Sequence, residues 1–277
     1  MISAENDKVR VHIHTQTPEA VFALCHRYGE FLSAKIENMT VQHTELDKRI
    51  LCAKEKNNGA FSVVAVAYDP GIQKLFIEMG ADVVICCEEN VSTKDYLDAF
   101  EKCETERIFV FPNSSDAILS AMQAKKLYSK AKVTVLNSRT IAECYAALPT
   151  IDFDQTDTEK AADAITEIIN NLYVVSIARR NNTIRHGSHE IHRNEYYSFS
   201  GKELITISKS LEATAAQTIH KVLKQRDKEI ITLFYRSPIR QDQIDGIIDS
   251  VRELGVYAEF YSVPTGSLPS ELTISFE

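Results

Sequence analysis

An α/β fold is predicted: a small strand–helix–strand module, then a doubly wound parallel-sheet domain, then a smaller α/β domain. Three observations predict it. Between residues 61 and 136, apolar runs alternate with helical patterns across short connections, the signature of a parallel sheet covered on both faces. Those runs are nearly continuous, as in Phe61-Ser-Val-Val-Ala-Val-Ala, which marks strands buried on both sides. The stretch before residue 54 is too short to bury a core of its own, so it belongs to a larger domain or docks on another chain.

Residues 9–15 alternate as a strand. Thr17-Pro18-Glu19 then opens a helix, with Thr17 as cap and Pro18 at the first helical position; Ala20, Val21, Phe22, Ala23, Leu24 and Tyr28 supply its apolar face and Gly29 stops it. Phe31 to Met39 returns as a strand, and the polar Lys54-Glu-Lys-Asn-Asn-Gly59 reads as a linker. Strands follow at 61–67, 82–86, 107–111 and 132–136, separated by helices at 70–79, 92–103 and 116–128. Right-handed crossovers make this a three-layer domain ending near Leu148. An amphipathic helix spans Thr156 to Leu172. Short strands at 174–178, 189–193 and 202–207 lie among Asn, Gly and Ser turns. Helices at 210–226 and 241–254, with strands at 229–235, 256–263 and 272–276, complete the chain. The expected divisions are 1–53, 61–150 and 151–277, the last with a hairpin insertion.

A formal net charge of −8 disfavours general nucleic-acid binding, which needs a basic surface. No apolar run approaches the ~20 residues that span a bilayer, and the polar, acidic N-terminus does not read as a signal peptide. Six cysteines lie scattered without a Cys-x-x-Cys pair, so reduced thiols and a cytoplasmic setting are expected.

No Gly-x-x-x-x-Gly-Lys-Ser/Thr loop is present to wrap a phosphate, nor a Gly-x-Gly-x-x-Gly turn. Asp69-Pro70-Gly71 reads as a plain helix start, because Asp69 would repel a phosphate there. At the strand ends, where open α/β sheets bind ligands, Asn113 and Ser114 offer donors for a carboxylate or a peptide carbonyl. The plain alternative is that Ser115 or Asp116 caps the following helix. Adjacent Cys86 and Cys87 read as one buried and one tolerated thiol. His186, His189 and His192 fall in a turn and strand, where 189 and 192 face opposite ways. His12 and His14 share one face of the opening strand. They form either a metal or phosphate handle or a satisfied pair, since two ligands do not close a tetrahedral site; His43 is a third ligand only if its strand pairs beside the first.

Val11-His12-Ile13-His14-Thr15, Pro18-Glu19, Gly29-Glu30, Lys35-Ile36-Glu37-Asn38-Met39 and Gln42-His43 resemble the middle domain of the fatty acid kinase A family, whose N-terminal domain is dihydroxyacetone-kinase-like. Ala65-Val66-Ala67, Gly71-Ile72, Gly80 to Ile85, Phe111-Pro112-Asn113 and Ala178-Arg179-Arg180 resemble its C-terminal region, which is DegV-like. The resemblance implies phosphorylation of a fatty acid presented by a separate binding subunit, feeding acyl phosphate to phospholipid synthesis. It implies a homodimer, zinc held by His12 and His14 with an upstream cysteine, and ATP and magnesium in an N-terminal domain outside this chain. Arg180 becomes the candidate for steadying an anion, because a guanidinium grips carboxylate or phosphate bidentately.

Two loops depart from the family pattern: 86–92, and Ser262-Val-Pro-Thr-Gly266, both bulkier than the glycine-rich originals. With no loop able to hold ATP in the family's manner, the chain is expected to be a partner-docking portion of a kinase, inactive alone. The rivals are a stand-alone acyl- or small-ligand-binding protein and a metal-dependent hydrolase. The hydrolase lacks the later histidine and aspartate ligands it would need.

Overall fold

The computed structural model describes residues 2–5, 8–11, 15, 17–32, 50–53, 59–87, 90–153, 155–186 and 189–277. The chain divides into two compact units, 1–46 and 47–277.

In the first unit, β1 (Ile2–Glu5) and β2 (Lys8–Val11) form an antiparallel hairpin with Ile2 opposite Val11. Helix α1 (Pro18–Cys25) begins on Pro18, whose fixed φ suits the first turn and which has no N–H to leave unpaired. Thr17 does not cap it by its side chain as expected. Its hydroxyl lies 3.3 Å from that of Thr15, which accepts the Thr17 N–H at 3.0 Å. The Phe22 ring meets Phe31 edge-on at 5.1 Å, while Leu24, Tyr28 and Leu32 are exposed. His12, His14, His43 and most of the predicted strand 31–39 lie outside the described residues.

The second unit contains two sheets. The first has the order β3-β5-β4-β6-β7, from β3 (Ile50–Cys52), β4 (Ser62–Ala67), β5 (Val83–Cys86), β6 (Arg107–Phe111) and β7 (Lys132–Val135). The last four are parallel, as their continuous apolar runs predict. Strand β3, which the sequence assigns to the first module, pairs antiparallel on the edge of this sheet. Helix α2 (Pro70–Glu78) starts where the Asp69 carboxylate accepts the Gly71 and Ile72 N–H groups. Helix α3 (Thr93–Phe100) starts on a Ser92–Asp95 capping box. Helix α4 (Ser115–Leu127) is capped by Ser114, one residue before the caps expected from the sequence. Helix α5 (Ile141–Ala147) starts on a Thr140–Glu143 capping box.

Helix α6 (Thr158–Asn171) leads to the second sheet. Its strands are β8 (Tyr173–Arg179), β11 (Tyr196–Ser200), β12 (Glu203–Ser208), β13 (Ile230–Arg236), β14 (Glu259–Thr265) and β15 (Leu272–Phe276), with β9 (Ile184–His186) and β10 (His189–Ile191) as a separate hairpin between β8 and β11. The order is β12-β11-β8-β15-β13-β14. Strand β11 is an addition to the elements expected; its Tyr-Tyr-Ser-Phe-Ser alternates correctly but lies among turn residues.

Helices α7 (Leu211–Gln225) and α8 (Gln241–Glu253) share one core with Val175, Ile177, Leu233 and Ile274. From the opposite face, Phe234 and Val263 join the core of the first sheet. Strand β14 is an edge. Its Glu259 N–H bonds the Glu229 carbonyl at 2.8 Å, so alternate residues turn to β13 and Pro264 falls at an outward position, where its missing donor costs nothing.

One charged cluster ties α6 to the first sheet. The buried Arg107 reaches Glu159 at 2.9 Å, and Lys132 reaches the same oxygen at 2.8 Å. Hydrogen bonds from Arg107 and then Lys132 hold the Glu159 carboxyl down from 4.5 to about 2. A carboxylate depressed in the folded state contributes stability fully above its unfolded pKa and loses it as pH falls toward the folded value. We predict that Glu159→Gln lowers Tm at pH 7 and that the gap to wild type narrows below pH 4.5, as read by thermal melts across that range. Equal Tm at pH 7 would rule the clamp out.

Candidate functional site

The sequence-adjacent strands of the first sheet run outward in opposite directions from the junction of β4 and β6. That junction is the topological switch point, and the carboxyl ends of the strands there form the crevice in which such sheets bind ligands. Tyr68 and Asp69 follow β4, and Asn113 and Ser114 follow β6.

The crevice is stitched shut by the chain's own groups. Asn113 is 1% exposed and adopts φ 56°, a left-handed conformation that asparagine tolerates better than most residues. This turn sends its side chain back under the sheet, where Nδ2 donates to the Val66 carbonyl at 2.7 Å. Its carbonyl accepts the Tyr68 hydroxyl at 3.1 Å, and its N–H donates to the Ser138 hydroxyl at 3.1 Å. Burial pushes the Tyr68 phenol up to about 12, against the lowering effect of a hydrogen bond with Ser114, so it stays a neutral donor. Beside them the Cys144 thiol is raised by burial, partly offset by the Asn113 amide. Burial also raises the Tyr96 phenol, which finds no hydrogen-bond partner among the described residues.

The second sheet closes on the same pole. Gly266, after β14, lies so close to Asp69 that a Cβ built on it would stand 2.9 Å from the Asp69 Cβ. The loop 262–266, expected to be too bulky for close approach, thus keeps its one glycine at the contact. Thr265 is anchored to the Tyr235 carbonyl at 3.1 Å, and Arg236 Nε donates to the Ser270 carbonyl at 3.1 Å. The Glu271 N–H then reaches Ile177 on β8 at 2.9 Å. Strand β8 ends at this pole, delivering Arg179 and Arg180.

Of the residues singled out in the sequence, Asn113 and Ser114 stand together at the switch point, Asn113 as a buried brace and Ser114 as the half-buried cap of α4. Arg180 lies just past the end of β8, exposed, with Nε donating to the Tyr197 hydroxyl at 3.1 Å. Tyr68, Ser138 and Gly266 carry no signal of their own in the sequence, since nothing local says that three connections meet. Cys86 and Cys87 are both buried. The expectation of zinc is overturned: among the described residues no group of three His, Cys, Asp or Glu side chains is placed to hold a metal ion. Nor does any helix among them have the length and apolarity to cross a membrane.

Residues 62–266 match the family model for the C-terminal domain of fatty acid kinase A-like (FakA-like) proteins, and residues 1–46 match the model for their middle domain. An uncharacterised protein of Staphylococcus aureus strain USA300 is 25% identical over 257 residues, covering 91% of this chain and 46% of that protein. The chain thus spans less than half the length of the curated relatives it matches. Among solved structures, the fatty acid kinase (Fak) B3 protein of Streptococcus pneumoniae, loaded with linoleic acid, superposes with TM-score 0.56 at 16% identity, over 79% of this chain and 99% of that one. A DegV family protein of Corynebacterium glutamicum gives TM-score 0.58 at 13% identity, over 80% and 97%. The fold is therefore DegV-like.

The Asp69–Gly266 contact makes a paired prediction. The Asp69 carboxylate is committed to capping α2, so its Cβ cannot retreat, and Gly266→Ala should destabilise by about 1–3 kcal/mol. Gly246→Ala, on α8 with nothing within 4 Å of the new methyl, should stabilise by about 0.5–1 kcal/mol. Urea titrations of the two variants decide; a neutral Gly266→Ala would mean that the loops are not locked.

Proposed function

Because this chain belongs to the fatty acid kinase A-like family, we propose that it is the part of such a kinase that receives a fatty-acid-binding partner protein, and is neither a complete enzyme nor an acyl carrier. One observation carries this reading: the switch-point crevice, the natural ligand seat of the first sheet, is closed by Asn113, Tyr68 and Ser138. A carrier of a long acyl chain needs an apolar lumen; a docking module needs a rigid surface, and an internally braced pole is one.

In this reading residues 61–150 and 151–277 are the two halves of a docking body. Asn113 braces the pole from within, and Ser114 presents a hydroxyl near its surface. Arg180, tethered through Nε, leaves its terminal nitrogens to steady the carboxylate that the partner delivers. The phosphoryl donor is bound elsewhere in the assembly, since no glycine-rich phosphate loop occurs in this sequence. Exposed Leu24, Tyr28, Phe31 and Leu32 in the first unit support contact with a second copy, hence a homodimer. The six free cysteines support residence in the cytoplasm.

Mixing the chain with the fatty-acid-binding protein from the same genome should yield a complex on size exclusion. Mass spectrometry of the chain purified alone should find no stoichiometric fatty acid. A long-chain fatty acid retained by the chain alone would favour the stand-alone carrier instead. In the reconstituted kinase, Arg180→Ala should lower turnover at least tenfold while the complex still forms; unchanged turnover would remove Arg180 from the reaction.

A further inference from the structure

The segment between β8 and β11 has a charge opposite to that of the molecule around it. Residues 179–193 contain Arg179, Arg180, Arg185 and Arg193 against Glu190, a net of +3; as the whole chain carries −8, the remainder carries −11. All four arginines are exposed. Salt screens charges beyond about 8 Å at physiological ionic strength, so an approaching surface senses this local excess more than the distant acidic body.

The described residues of the segment are tied to the protein. Ile191 is fully buried and anchors β10. Strands β9 and β10 pair with Arg185 opposite Glu190. The Arg193 N–H donates to the Thr183 hydroxyl at 3.3 Å, and the Asn194 N–H to the Arg180 carbonyl at 2.9 Å, closing the hairpin base. The Arg179 guanidinium lies 5.4 Å from the centre of the Tyr196 ring, and Arg180 is tied to Tyr197. The next acid, Glu195, is turned to the His192 N–H at 2.8 Å. A positive ribbon with a fixed base costs little ordering entropy when it binds.

We propose that the hairpin 179–193 is the electrostatic dock for an acidic face of the fatty-acid-binding protein, a reading that rests on the function proposed above. Two features favour a protein face over an anionic membrane or a nucleic acid. Those are extended anionic surfaces that would also confront the −11 body, whereas a protein can offer acid over the hairpin alone. Among the hairpin's described side chains the one apolar residue, Ile191, is fully buried and offers a bilayer no wedge. Rim charges of this kind govern the association rate and its salt dependence more than the dissociation rate.

The test uses the full chain with charge reversals Arg185→Glu and Arg193→Glu combined, against the same charge change made at exposed Lys102 and Lys125. Surface plasmon resonance with the purified fatty-acid-binding protein, at 50 and 300 mM salt, should show the hairpin variant binding at least tenfold more weakly. The loss should fall on the association rate, with a flatter salt dependence, and the lysine variant should behave as wild type. Circular dichroism melts matched to wild type establish that the hairpin variant is folded; were it not, Arg185→Gln and Arg193→Gln combined should give the same loss in smaller measure. Wild-type affinity in the folded hairpin variant overturns the dock while leaving the proposed function standing. An equal loss in both variants overturns it too, because net charge alone would then be responsible. No binding by the wild-type chain overturns both. Hairpin-dependent binding to phosphatidylglycerol vesicles or to RNA, with binding of the acyl-binding protein intact, would replace the protein partner.

Discussion

The two sheets of residues 47–277 meet at their ends because a residue without a side chain faces a carboxylate that cannot move. Asp69 is held by two N–H bonds at the start of α2, and only Gly266 permits the β14–β15 connection to lie against it. Around this contact the Tyr68–Asn113–Ser138 bonds close the switch point, and Thr265 and Arg236 fix the facing loop. An open mouth here would give a vessel. The bonds built into this pole brace it from within instead, and that bracing is the ground for the proposed role of contact with another protein.

Family membership comes from the two domain models, and the folding pattern adds the architecture. The DegV-like architecture is common to this chain and to a protein solved with linoleic acid, yet at 16% identity that likeness speaks for the fold alone. Function has to be argued from the groups at the strand ends. There the decisive residue is Asn113. A left-handed turn lets one side chain span two strands, and three of its polar groups are spent inside the protein.

Much of the fold was legible because its elements announce themselves locally. Asp69-Pro70 and Ser92-Thr-Lys-Asp95 are helix starts that need no tertiary information, and the apolar runs from Phe61 to Leu136 specify a parallel sheet. The candidate site was less legible. Asn113 and Ser114 were visible as polar residues at a strand end, but whether such residues turn outward to a ligand or inward to the backbone depends on a single φ. The approach of Gly266 to Asp69 joins residues almost two hundred positions apart, and no spacing rule reports it. Strand β11 hid because turn residues flank it closely, although Tyr196, Tyr197 and Phe199 favour strands and it pairs with β8 and β12 on its two sides. The cap of α4 fell on Ser114 rather than on Ser115 or Asp116, a one-residue difference that follows from where β6 lets go of the sheet.

The most direct test is hydrogen–deuterium exchange of the chain alone and in the presence of the acyl-loaded binding protein. Protection appearing across 179–200 and 264–271, with the buried strands β4 and β6 unchanged, is the predicted result. Protection confined to residues 2–32, or deep slowing at the ends of β4 and β6 when free fatty acid is added without that protein, would contradict the account.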